Sequence, residues 1–142
     1  MRSAEFGVWN IKCENIRHNF QFMDNENLKL RTKQFALRVV KLVESLPHDR
    51  TSNVLGHQLL RSGTSVGANY RAACRSKSAA DFISKMGTVE EEADESAYWM
   101  ELLVEAGKIK PVKVSALLQE ANELTAISVS SINTAKKSQA RR

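Results

Sequence analysis

The 142 residues carry 21 Lys+Arg against 16 Asp+Glu, a formal charge of +5, with six glycines, two prolines and 42% hydrophobic residues. That length suits one domain, and so few turn-forming residues exclude an all-β architecture. Cys13 and Cys74 are too few and too isolated for a disulfide framework or a zinc site, and no apolar run reaches the roughly 18 residues of a membrane span. The expected setting is reduced and cytoplasmic, with no membrane partner and no signal peptide. The basic balance permits a polyanionic partner without requiring one.

Residues 1–27 share no period with the rest. Phe6, Val8, Trp9, Ile11, Phe20 and Phe22 are scattered among polar residues, and Met23 stands just before a plausible helix start. Met23 is the expected native start, and 1–27 is expected to be a poorly ordered extension.

From Leu28 to Leu46, the residues Leu28, Phe35, Ala36, Val39, Leu42, Val43 and Leu46 fall in a sector of about 120°, the core-facing stripe of a helix. Asp24 and Asn25 are capping candidates and Pro47 ends the helix. Leu30 and Leu37 share a different face, which predicts a second apolar contact, within the domain or across a subunit boundary. After a short polar link, Thr51, Ser52 or Asn53 can cap a second helix.

In that second helix Leu55, Leu59, Ser62, Val66, Tyr70 and Ala73 hold a 3.6-residue period straight through Gly63 and Gly67. The two glycines stack on one side with Ala68 and Ala72 nearby, so a neighbouring backbone can approach closely. Each glycine weakens the helix by about 1 kcal/mol relative to alanine, which tight packing must offset. A phosphate-cradling loop is the competing reading, but a Walker loop needs Lys and then Ser or Thr after its last glycine, and Ala68-Asn69 stands there.

Ser78 with Asp81 three residues on resembles a capping box and starts a third helix that runs to about Gly107. Its apolar seam is Phe82, Met86, Val89, Ala93, Ala97, Met100 and Val104; the other side carries Glu91, Asp94, Glu95, Glu101 and Glu105, with Tyr98 and Leu102 among them. Gly107 to Pro111 is a helix stop. A fourth helix, 112–136, sets Val114, Leu117, Ala121, Leu124, Ser128 and Ser131 on one stripe, and 138–142 is a basic tail expected to fray. The fold class expected over 28–137 is all-α: an up-down-up-down antiparallel four-helix bundle.

Charge is segregated by element. Residues 28–46 carry five basic and one acidic residue, 51–77 four basic and none acidic, and 78–107 one basic and eight acidic. Either the third helix pairs with the basic helices, or some cations face outward onto phosphates. Under the second account Arg31, Arg38 and Lys41 cluster on the first helix, and Arg61, Arg71 and Arg75 lie within about 80° of one another on the second.

No catalytic residue is expected. The acidic run Glu90-Glu91-Glu92-Ala93-Asp94-Glu95 invites a di-iron reading, but no Glu-x-x-His occurs, and His18, His48 and His57 all lie outside the third helix. Ser62 and Ser65 have no nucleophile elbow around them. No metal and no cofactor are expected.

The run Gln58-Leu59-Leu60-Arg61-Ser62-Gly63-Thr64-Ser65-Val66-Gly67-Ala68-Asn69-Tyr70-Arg71, with Phe82-Ile83-Ser84-Lys85-Met86 and Glu91-Glu92-Ala93-Asp94-Glu95-Ser96-Ala97-Tyr98-Trp99, resembles a bacterial four-helix bundle family. Its members were first noted as open reading frames within intervening sequences of large-subunit ribosomal RNA genes. The resemblance covers about residues 28–137 and implies a non-enzymatic bundle assembled as a ring-shaped homopentamer. The chain is also similar to the accessory variability proteins of diversity-generating retroelements, which implies RNA or other nucleic acid, and a reverse transcriptase, as partners of basic surfaces. Leu30, Leu37, Tyr98 and Leu102 are the candidate contacts between copies. Two departures stand out: residues 1–22 match no part of the family pattern, and Glu90 stands where an apolar residue is expected.

Overall fold

A computed structural model describes residues 25–141 as four helices: α1 (Asn25–Glu44), α2 (Arg50–Cys74), α3 (Ala79–Glu105) and α4 (Pro111–Ala140). The expectations for residues 1–24, including a start at Met23 and a cap at Asp24, lie outside the described residues. Consecutive helices pack along their length, and α4 returns to touch α1 more lightly, so the order round the bundle is α1, α2, α3, α4 with α1 and α3 at opposite corners. This is the antiparallel four-helix bundle that the periodicity predicts.

The core follows the predicted stripes, with Phe35, Val39, Leu59, Val66, Met86, Met100, Val114 and Leu124 all buried; at the end of α3 it departs from them, because Leu103 is fully buried and Val104, the expected seam residue, is only half-buried. Small polar residues join it where helices approach closely. Ser96 Oγ donates to Ser62 Oγ at 2.9 Å across the α2–α3 seam, and Thr32 Oγ1 donates to the Leu28 carbonyl of its own helix, so each burial is compensated.

Gly63 and Gly67 form a close-packing face as predicted, and the helix that meets it is α1. A Cβ at Gly63 would lie 2.8 Å from both Val39 methyls, and one at Gly67 3.2 Å from Thr32 Oγ1. Gly56, which the sequence reading left aside, belongs to the same face: a Cβ there would meet Leu46 at 3.0 Å. Three glycines therefore set the α1–α2 spacing, with Leu46, Val39 and Thr32 as their counterparts.

The caps differ in part from expectation. Asp49 caps α2, its carboxylate accepting from the Ser52 N–H at 2.8 Å, ahead of the three polar candidates. Ser78 caps α3 as predicted, accepting from the Asp81 N–H. Gly107, at φ +73°, closes α3: its N–H bonds the Val104 carbonyl while the Lys108 N–H bonds that of Leu103, a Schellman ending. The fourth helix continues to Ala140, into the segment where fraying is expected.

Candidate functional site

The outward row of α2 reads Arg50, Val54, His57, Arg61, Thr64, Ala68, Arg71, Arg75; all are exposed, and none is acidic. At 1.5 Å per residue the row spans about 37 Å. The neighbouring row of α3 is its opposite in charge: Glu91, Asp94, Tyr98, Glu101 and Glu105 recur every three or four residues, all exposed and none basic. The two rows meet at the α2–α3 corner, where Arg61 Nη2 donates to Glu95 Oε1 at 2.7 Å. Trp99 Nε1 donates to the same oxygen at 3.1 Å, and the Tyr98 and Trp99 rings meet edge to face at 5.0 Å.

Glu92 lies behind this corner. Burial, reinforced by the negative charges of Glu95 and Glu91, holds its carboxyl above the ordinary range, and the Arg61 guanidinium only partly offsets this. Its Oε2 is buried and has no hydrogen-bond partner among the described residues. Glu90, the residue that departs from the family pattern, is merely half-buried.

The six cations proposed from sequence are thus not equivalent. Arg31 is committed to α4: its Nε and Nη2 donate to the two Glu120 oxygens, and Nη2 also reaches Glu123 Oε2 at 2.7 Å. The Glu120 hydrogen bond raises its pKa further above the usual guanidinium value, against the opposing effect of burial. Arg61 is held by Glu95. Among the described residues no carboxylate lies within 4 Å of Arg38, Lys41, Arg71 or Arg75, all exposed. Those four do not form one patch: α1 and α2 are antiparallel, so Arg38 and Lys41 sit toward one end and Arg71 and Arg75 toward the other.

Of the candidate contacts between copies, Leu30, Leu37 and Tyr98 are exposed and Leu102 is half-buried. Arg50 was missed by the sequence reading because it lies at the helix boundary, although its offset from Arg61 and Arg75 places it on the same row. The Glu120 and Glu123 partners of Arg31 carry no local signal at all, being about 90 residues away in sequence.

The model of the 23S rRNA-intervening sequence protein family matches residues 26–130, the bundle with both charge rows included. The chain belongs to that family. A solved structure from the S23 ribosomal protein family of Bacteroides thetaiotaomicron VPI-5482, a protein with unknown function, is 36% identical, with a TM-score of 0.69, covering 73% of this chain and 96% of that one. No curated protein matches significantly. Among the described residues no helix is long and apolar enough to cross a membrane.

Proposed function

We propose that the chain is a non-enzymatic, self-associating bundle that binds RNA or other nucleic acid without sequence preference, through the outward row of α2, as an accessory factor. The observation that carries this reading is the absence of any carboxylate along that row, with Arg71 and Arg75 exposed and unpaired among the described residues. A row of about 37 Å is close to one turn of a nucleic-acid duplex, so several phosphates fall within reach of its arginines. Contacts of that kind position a backbone and carry no base information, hence the lack of sequence preference. The one buried serine hydroxyl weighed as a nucleophile has its proton in use: Ser62 Oγ donates to the Leu59 carbonyl and accepts from Ser96.

One observation favours a second reading, a structural subunit with no nucleic-acid role. Glu91, Asp94, Glu101 and Glu105 have no cationic partner among the described residues, so acidic α3 of one copy is free to take up basic faces of another. Titrating a labelled RNA against salt separates the two. Binding that weakens with salt, and that falls further in Arg71→Ala with Arg75→Ala, supports the nucleic-acid reading; no binding at low salt overturns it.

A further inference from the structure

We propose that the outward row of α3 in one copy docks, head to tail, along the α1–α4 seam of the next, which leaves the α2 row open. The inference rests on the reading that the chain self-associates, and it assigns the two surfaces involved.

The receiving surface is the weakest seam of the bundle. Where α1 and α4 touch lightly, Arg31, Gln34, Phe35, Leu37, Arg38 and Glu120 line an open groove of about 290 Å³. Its α1 edge is amphipathic: Leu30 and Leu37 are 53% and 55% exposed, and Arg38 and Lys41 beside them lack ion pairs among the described residues. Two leucines left in water on one helix face, flanked by uncompensated cations, suit a partner that is apolar at one point and acidic around it.

The outward row of α3 has that chemistry. Tyr98 is 54% exposed, at the centre of Glu91, Asp94, Glu101 and Glu105. The α3 row recurs at steps of 3, 4, 3 and 4 residues over about 21 Å, and the α1 row Leu30, Gln34, Leu37, Lys41 at steps of 4, 3 and 4 over about 16 Å, so the two ridges can run side by side. With Tyr98 over Leu37, a carboxylate one turn along α3 reaches Lys41, and Arg38, next to Leu37 on α1, flanks the same contact.

The partner must be a second copy, placed head to tail. Within one copy α1 and α3 occupy opposite corners, so their outward rows face away from each other. A symmetric contact of α3 on α3 would bring like charges together. Unlike surfaces on every copy produce a heterologous contact, which closes into a ring or runs on as a filament. The α2 row is the poorer receiver, because past Val54 it exposes no large apolar side chain for Tyr98.

Charge reversal tests the assignment by sedimentation velocity at fixed protein concentration, with far-UV circular dichroism to check folding of these exposed-site variants. Arg38→Glu with Lys41→Glu should dissociate the particle, as should Asp94→Lys with Glu101→Lys, each weakening assembly at least tenfold. All four changes in one chain should restore it, and Arg71→Glu with Arg75→Glu should leave it intact. An intact particle after the α1 reversal, or no recovery in the fourfold variant, overturns the docking while self-association stands. A monomeric wild type overturns both.

Discussion

Arg61 and Trp99 donate to the same oxygen of Glu95, at 2.7 and 3.1 Å, so one carboxylate neutralises the central arginine of the basic row and anchors the indole behind it. The partly exposed ion pair adds little to stability, well under 1 kcal/mol. Its larger effect is on charge, because it keeps Arg61 from a phosphate. Glu95→Gln retains an acceptor for Trp99 and releases the guanidinium. The expected outcome is tighter RNA binding, with the slope of log K against log salt steeper by about 1. Binding isotherms at three or more salt concentrations check it; an unchanged slope means that Arg61 does not reach the backbone.

Gly63 and Gly87 are both helical, and they should respond to alanine in opposite directions. A Cβ at Gly87 meets nothing within 4 Å, whereas one at Gly63 strikes both methyls of Val39, a β-branched and fully buried residue with no room to turn. Gly87→Ala should gain roughly 0.5–1 kcal/mol from helix propensity alone. Gly63→Ala makes the same gain but overpacks the α1–α2 seam, for a net loss of roughly 1 kcal/mol. Chemical denaturation of the two variants side by side reads the difference, and equal shifts would refute the close-packing role of Gly63.

Glu92 makes stability depend on pH in the unusual direction for a carboxylate. Its folded-state pKa is raised, so the folded chain binds this proton more readily than the unfolded chain does. The favourable contribution is complete below the unfolded glutamate value, near 4.3, and is lost as pH rises through the folded value. Glu92→Gln should therefore melt higher than wild type at pH 7, with the gap closing toward pH 4. Thermal melts across that range test it, and a gap that widens on acidification contradicts it. Asp49 has the opposite sign. The Ser52 N–H bond, aided by Lys108, lowers its pKa, so its stabilisation is present above the ordinary aspartate value and fades as pH falls through the lowered one.

Much of the bundle was legible from the 3.6-residue period, because each helix buries one stripe and short links force antiparallel neighbours. The misses have local causes. Thr32 and Ser96 are polar, yet buried, because each hydroxyl donates to a carbonyl or hydroxyl that periodicity does not count. Gly56 was passed over because it stands seven residues before Gly63, without the short spacing that draws attention to Gly63 and Gly67. At the candidate interface the sequence shows which residues are charged but not which charges are spent. Arg31 and Arg38 look alike seven residues apart on α1, yet Glu120 and Glu123 of α4 pair with the first, and among the described residues no carboxylate pairs with the second. Such partners are set by tertiary packing of distant segments.

In the proposed division of labour, two sets of cations serve two partners: Arg71 and Arg75 a phosphate backbone, Arg38 and Lys41 a neighbouring copy. Sedimentation of fluorescently labelled RNA with each double variant tests it most directly, since particle size and bound RNA are read in one run. The account predicts that Arg71→Ala with Arg75→Ala keeps the particle and loses most of the RNA, whereas Arg38→Glu with Lys41→Glu breaks the particle. RNA binding retained by the first variant, or an intact particle in the second, would contradict it.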